Sequence, residues 1–364
     1  MAGAYAARSA EERAAYAPAI GVRLDPADEY THELGPEPNF NESVYVNVFD
    51  PDVGLGAFFR LGNRAHEGRA EMTICVYLPD GRVGFMFKRP PIVDNDALDA
   101  GGLTWTMVRP FEELRVDYTG RLVVLDDPTE MADPKAAFTS NPYAAAEVRL
   151  TFTGQGRRSM FGGEPDKPHE APGEEFAKGH YEQLVAGQGT ITVGDESWEI
   201  SGHGLRDHSW GPRFWQAPWY YRWLTANAGP DFGFMASRVA RRDGPGTRGG
   251  FVWEDGTLHL CDDVEITTEY EGDDTYHRRI GGRLRSSRSD REWSFEGEVL
   301  NLIPLRNRRR DPDADSDGDD EAPWLVTRIS EGMTRWSMAD GRVGYGLSEY
   351  LDQIVDGQPV GLAE

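Results

Sequence analysis

The sequence predicts an all-β chain of antiparallel barrels or sandwiches, on three observations. Segments with strand-type alternation recur along almost the whole chain, separated by turns that carry Gly, Asp and Pro. Helical periodicity is confined to two short stretches. Strand density is alike in the two halves of the 364 residues, a length that suits one large or two medium domains. Two β-domains packed side by side follow, with an N-terminal arm over residues 1–29, a first domain over 30–196 and a second over 197–364.

In chain order, Ser9 to Tyr16 reads as an amphipathic helix, with Ser9 as N-cap and Glu12 at the capping-box position. Strands are expected over 43–49, 56–61, 70–78, 83–88, 103–108, 113–118, 121–125 and 146–152. Pro79-Asp80-Gly81-Arg82 and Asp117-Tyr118-Thr119-Gly120-Arg121 read as hairpin-type turns. Asp133 to Phe138 is a second helix candidate, with Pro134 in its first turn. Residues 154–178 are polar, rich in Gly, Pro and Glu and without period, which reads as a long loop or lid. Strands resume over 179–186, 189–193 and 197–201. They continue over 219–227, 231–239, 248–253, 256–262, 264–270, 278–285, 292–302, 324–336 and 342–351. The acidic stretch Asp313-Ala314-Asp315-Ser316-Asp317-Gly318 imitates the start of a calcium loop, but Trp324 stands where the closing Glu belongs, so it reads as a solvated loop.

Composition limits the partners. The formal net charge is -24, which repels nucleic acid and anionic membrane surfaces. No apolar run is long enough to span a bilayer, and the N-terminus lacks the apolar core of a signal peptide. A cytoplasmic protein is the expectation. Cys75 and Cys261 stand in no metal-type spacing and suggest no disulfide framework. Hydrophobic residues make up 39% and aromatics 11%, enough for a sizeable core. The partner expected is a small apolar molecule of isoprenoid, terpenoid or polyketide type, and a homodimer stays open.

The densest chemistry lies in Gly202-His203-Gly204-Leu205-Arg206-Asp207-His208-Ser209-Trp210-Gly211-Pro212-Arg213, followed by Phe214, Trp215, Trp219, Tyr220, Tyr221 and Trp223. Ionisable groups beside an aromatic wall suit a pocket for an apolar substrate. Asp207 is the candidate acid and His208 its partner. Trp210, Trp215, Trp219 and Tyr221 are candidate walls. The competing reading is a turn held by a salt bridge from Asp207 to Arg206 or Arg213. Upstream, alternation along Gly179-His180-Tyr181-Glu182-Gln183 sends His180 and Glu182 to one strand face and Tyr181 and Gln183 to the other. Glu182 is the candidate base or water-positioner, with an exposed polar strand as the alternative. Glu42, opening the first strand, caps it or lines the pocket mouth. A metal set drawn from His180, His203 and His208 with Asp207 or Glu182 has no supporting short spacing, and no metal is expected. Neither a nucleophile elbow nor a Walker loop nor a dinucleotide fingerprint is present, so no cofactor is expected.

Gly202-x-Gly204 followed by Arg206-Asp207-His208-Ser209-Trp210-Gly211 resembles the glycine–Asp-His-x-Trp-Gly signature of lipocalin-like proteins related to carotenoid hydratase (hydroxyneurosporene synthase). His180-Tyr181-Glu182-Gln183 and the late Gly344-Tyr345-Gly346-x-x-Glu349 resemble a bacterial branch of that superfamily without assigned function. The resemblance covers about Asn39 to Leu351. It implies two calycin-type barrels side by side. It also implies a greasy polyunsaturated or prenylated substrate, since relatives include hydratases and pericyclases. In the hydratases the acidic residue of the signature protonates an alkene, which maps to Asp207. Arg206 departs from the pattern, which tends to an aromatic there, and pairing with Asp207 would weaken that acid. The implied function is a cofactor-independent hydratase, dehydratase, cyclase or isomerase working by acid–base chemistry in a β-barrel pocket. Arg206, His180, Tyr181 and Gln183 are candidate substrate contacts, and a pericyclase using shape and hydrogen bonds and a non-catalytic lipid carrier are the alternatives.

Overall fold

Alternating apolar side chains on consecutive strands close the first half of the chain into a ring. The computed structural model describes residues 24–154, 160–163, 177–243, 246–273, 275–310 and 324–363. The first sheet contains β1 (Phe40–Asp50), β2 (Leu55–Arg64), β3 (Arg69–Tyr77), β4 (Val83–Lys88), β5 (Asp99–Ala100), β6 (Leu103–Arg109), β7 (Glu113–Leu125), β8 (Tyr143–Gly154), β9 (Met160–Gly163), β10 (Gly179–Val193) and β11 (Glu196–Pro212). Its order is β4-β3-β2-β1-β11-β10-β8-β7-β6-β5, and β4 also pairs β7 through Val83↔Leu125, Gly84↔Val124 and Phe85↔Val123. That pairing closes an antiparallel barrel from β4 to β7, with β6 and β5 continuing past the closing pair.

The barrel is filled. Val44, Val46 and Val48 of β1, Phe59 and Leu61 of β2, and Met72, Ile74 and Val76 of β3 all turn inward into one buried cluster. Fully burying an apolar side chain of this size is worth about 1.5–3 kcal/mol. The intervening residues Tyr45, Phe58 and Tyr77 face outward and meet Ile303, Met333 and Leu347 of the second half.

The second sheet contains β12 (Tyr220–Asn227), β13 (Phe232–Ala240), β14 (Thr247–Glu254), β15 (Thr257–Cys261), β16 (Asp263–Glu271), β17 (Tyr276–Ser286), β18 (Arg291–Arg310), β19 (Trp324–Met338), β20 (Val343–Val355) and β21 (Gln358–Pro359). Its order is β15-β14-β13-β12-β20-β19-β18-β17-β16, with no closing pair among the described residues. It curls around Phe234, Phe295 and Trp336, whose rings meet at 4.7 and 5.6 Å from Phe234. The architecture is therefore all-β, a closed barrel beside a half-barrel. Because β11 runs to Pro212 within the first sheet, we place the division between the two units in the 213–219 link; the sequence reading put it at 197.

The turn at Pro79–Arg82 joins β3 to β4, with Gly81 at φ +94°. The helix α1 is Pro134–Ser140, capped by Asp133. The turn expected at Asp117–Arg121 is instead the middle of β7, which is clasped by β6 and β8 on its two sides. Gly120 there leaves room for the Tyr118 hydroxyl, 2.3 Å from where a Cβ would stand. The helix at Ser9–Tyr16, the acidic 313–318 loop and most of the 154–178 loop lie outside the described residues; within that last stretch, Met160–Gly163 form a strand on β10. Cys75 and Cys261 are buried and unbridged. No helix among the described residues is long and apolar enough to cross a membrane.

Candidate functional site

Strand alternation splits the 206–208 motif between two environments. On β11, Arg206 and His208 turn into one end of the barrel, with Tyr181 and Gln183 of β10 directly opposite them. Asp207 turns outward, opposite Glu182. Two glycines permit this register. A Cβ at Gly204 would fall 1.8 Å from the Asn47 carbonyl oxygen on β1, and Gly211 ends the run at φ +112°.

The outward group faces a cavity of about 870 Å³ between the barrel wall and the second sheet. From sequence the motif falls at the junction of the two β-domains while the chemistry is set in a barrel pocket; the cavity lies at the junction, because the barrel interior is occupied by its own Val, Ile, Met and Phe side chains. On the barrel side, His180 Nε2 lies 3.2 Å from Asp207 Oδ2 and 3.5 Å from Glu182 Oε1. Trp223 Nε1 donates to Glu182 Oε1 at 2.9 Å, and Glu182 Oε2 is buried without a partner. Burial, helped by the Asp207 charge and opposed by His180 and Trp223, pushes the Glu182 carboxyl up to about 7.

The second sheet contributes two more carboxyls. Glu331 of β19 is pushed up to about 8 by burial, against the pull of Arg60. Glu349 of β20 accepts from the Tyr221 hydroxyl. Burial and then the Asp207 charge push it to about 8, against Arg60 and Arg213. Aromatic walls come from both units: Tyr45 meets Trp223 edge-on at 5.5 Å, and Phe58, Trp215 and Tyr221 complete them.

The inward group is sealed by the segment before β1. Arg206 Nη2 donates to Glu29 at 2.9 Å and Arg206 Nε to Gln183 Oε1 at 2.8 Å. The Tyr181 hydroxyl and the Phe111 amide also donate to Glu29. His208 Nε2 lies 2.5 Å and His32 Nδ1 3.0 Å from Glu42 Oε1, and Trp210 stacks on His32 at 3.9 Å. Burial would raise Glu42, but its hydrogen bonds to His208 and His32 hold it at about 2. Burial would lower His32, but Asp28 and Glu42 raise it to about 9.

The structure therefore brings Asp207, Glu182, His180, Trp215 and Tyr221 to the cavity. It sets His208, Arg206, Tyr181, Gln183, Trp210 and Glu42 in the sealed end of the barrel. His208 cannot partner Asp207, because neighbours on a strand face opposite ways; His180 stands there instead. Arg206 pairs with Glu29, so the salt bridge to Asp207 that the sequence left open is not formed. Trp219 lies outside the lining, under the Arg242 guanidinium at 4.5 Å. Glu331, Arg60 and Tyr45 were missed by sequence reasoning, since nothing local marks residues that meet only when two sheets dock. Glu349 was visible only as the end of its glycine motif. His180, Glu182 and Asp207 have ligand atoms within 4.8 Å of one another, as do His32, Glu42 and His208; either set has the donors of a divalent-cation site. His180 and His208 lie on opposite faces, so the two-histidine set considered from sequence is not assembled.

A family model described as a domain of unknown function, DUF7064, matches residues 25–354. The chain belongs to the DUF7064 family. No curated protein matches the sequence. Among solved structures, the AttH-like protein NE1406 of Nitrosomonas europaea is 13% identical over 92% of this chain and 98% of that one, with a TM-score of 0.52. Kievitone hydratase from Nectria haematococca is 11% identical over 85% and 88%, also at 0.52. These likenesses are of fold, and they agree with the lipocalin-like resemblance in the DUF7064 chain's motifs. CghA, 13% identical over 88% and 90%, aligns at 0.49 and bears on nothing further.

Proposed function

We propose that this protein is a lyase or isomerase that transfers protons to and from an apolar, polyunsaturated small molecule in the junction cavity. The observation that carries the reading is the convergence of Glu182, Asp207 and His180 on one wall, opposite aromatic faces. Glu182, pushed up to about 7, holds a proton in a large share of molecules at neutral pH and loses it readily. It donates that proton to a substrate double bond. The resulting cation is stabilised by the π faces of Trp223 and Tyr45. Asp207 with His180 then takes a proton from the adjacent carbon, which completes isomerisation or cyclisation, or takes one from water, which completes hydration. The relative named kievitone hydratase, whose fold this chain shares, supports a hydratase among these outcomes.

The test is turnover of an isoprenoid and polyene panel by Glu182→Gln and Asp207→Asn. General acid–base groups contribute about 10²–10⁴-fold, and losses of that size with folding retained are expected. Full activity in both variants would sink the assignment. A shape-only pericyclase would tolerate both but fail in Trp223→Ala, and a carrier would bind without conversion.

A further inference from the structure

Cross-strand register sets a row of side chains on each wall of the junction cavity. On the first sheet Glu182, Asp207, Tyr45 and Arg60 stand directly opposite one another, from β10 through β11 and β1 to β2. On the second sheet Trp223, Glu349 and Glu331 do the same, from β12 through β20 to β19. All of them line the cavity. Trp223 bonds Glu182 at one end of the rows. Glu331 stands at the other end, two strands from Trp223, which is roughly 10 Å at the usual strand spacing. The proton-transfer assignment uses the Glu182 end and leaves the Glu331 end without a role.

Glu331 is 5% exposed, and its Oε2 is buried without a hydrogen-bond partner among the described residues. The Tyr77 hydroxyl pins its backbone to the barrel, donating to its carbonyl at 3.0 Å. Burial keeps the carboxyl protonated at neutral pH despite the pull of Arg60, whose charge is answered by Glu71 and then Asp207. A protonated carboxyl is a hydrogen-bond donor. A second donor stands near it. Of the carboxyls around the Tyr45 hydroxyl, Glu331 acts on it most strongly. That hydroxyl accepts from Asn47 Nδ2 at 3.2 Å, and its own hydrogen meets no protein acceptor among the described residues. A hydrocarbon filling the cavity would take water from both donors and give nothing back, a cost that a fitted acceptor removes.

We propose that Tyr45 and Glu331 form a two-donor clamp for a carbonyl oxygen, and that the substrate is an unsaturated ketone whose conjugated chain runs from this clamp past Asp207 towards Glu182. A ketone oxygen has two lone pairs and no hydrogen, so it answers both donors. A buried tyrosine and a neutral carboxylic acid together are a proven way to hold the oxygen of a ketone while a proton moves beside it. Two such donors polarise the carbonyl, and conjugation carries that polarisation along the chain to the acid–base groups. The inference rests on the proton-transfer reading of the same cavity and names its substrate class.

The test is binding and carbonyl polarisation, not turnover. The conjugated ketone β-ionone and the hydrocarbon myrcene are bound at pH 7 to the unaltered protein and to folded Glu331→Met, Glu331→Gln and Tyr45→Phe. Affinities come from equilibrium dialysis, and the C=O stretch of bound β-ionone from infrared difference spectra. In the unaltered protein the stretch should lie below its value in hexane. Glu331→Met and Tyr45→Phe should each weaken β-ionone by about three- to tenfold, the scale of one neutral hydrogen bond, and raise the stretch. Neither should weaken myrcene. Glu331→Gln keeps an N–H donor and should restore most of the affinity and the shift. A stretch in the unaltered protein equal to that in hexane overturns the proposal, as does a failure of β-ionone to bind. So does β-ionone affinity that is the same in Glu331→Met and Tyr45→Phe as in the unaltered protein, or a loss in Glu331→Gln as large as in Glu331→Met. If Glu182→Gln retains turnover while the clamp behaves as expected, the acid–base assignment fails and the carbonyl site stands; loss of turnover with an unshifted stretch is the reverse.

Discussion

Arg206 and Asp207 are chain neighbours that belong to different halves of the molecule's chemistry. Arg206 reaches Glu29 at 2.9 Å inside the end of the barrel, and Asp207 reaches His180 at 3.2 Å in the junction cavity. One half of the motif holds the structure and the other half faces the ligand space.

The two should separate cleanly by mutation. Arg206→Met leaves Glu29, which is 1% exposed, without its cation. Breaking a buried pair in this way costs about 3–5 kcal/mol. Asp207→Asn touches a partly exposed carboxylate and should cost under about 1 kcal/mol. Urea unfolding of the two variants checks this. Equal midpoints would mean that Glu29 is satisfied without Arg206.

How much of this was legible follows from the range over which each feature is set. The split of His180 and Glu182 from Tyr181 and Gln183 was readable, because side-chain alternation along one strand needs no tertiary information. The same rule applied to Arg206-Asp207-His208 separates Asp207 from both neighbours, so the Asp207–His208 pairing was a misuse of local proximity. The Asp117–Arg121 stretch looked like a turn by composition, yet pairing on both sides of β7 overrode it. Arg60, Glu331 and Tyr45 carry no local signature at all. Their meeting depends on which outward faces dock, and register of that kind is set by long-range contacts.

Trp223→Phe tests the electrostatics of Glu182. The indole N–H at 2.9 Å stabilises the charged carboxylate, so its removal raises the Glu182 pKa above about 7. The expected readout is an upward move of the Glu182 transition by several tenths of a unit to about one unit, measured by carboxyl ¹³C NMR. An unmoved transition would show that the Trp223 bond does not tune this acid.

Glu331→Gln tests the cost of the cavity carboxyls. Glu331 is raised from 4.5 to about 8 by burial, so the folded state holds its proton over a range where the unfolded chain has lost it. Stability therefore falls as pH rises from about 4.5 to about 8 and stays lower above that. The glutamine variant lacks this term. Its fall in unfolding free energy between pH 5 and 9 should be smaller than that of the unaltered protein by about 2–4 kcal/mol. Parallel stability profiles would rule out a neutral Glu331 in the folded state.

The segment before β1 should be most tightly docked in a defined pH window. Glu42, held at about 2, contributes stability that is fully present above its ordinary value of 4.5 and is lost as pH falls through about 2. His32, raised to about 9, contributes stability that is fully present below its ordinary 6.5 and is lost as pH rises through about 9. Both are whole between those ordinary values. Amide exchange over Leu24–Asn41 should then be slowest near pH 5–6, after correction for the intrinsic exchange rate, and should speed up on either side. His32→Ala should flatten the alkaline limb, because it removes the group that titrates there. Glu42→Gln should weaken both limbs, since the same Oε1 faces His32 at 3.0 Å and His208 at 2.5 Å. Protection that stays constant from pH 5 to 10 would show that this segment is held by Leu24, Phe40 and Trp210 packing alone.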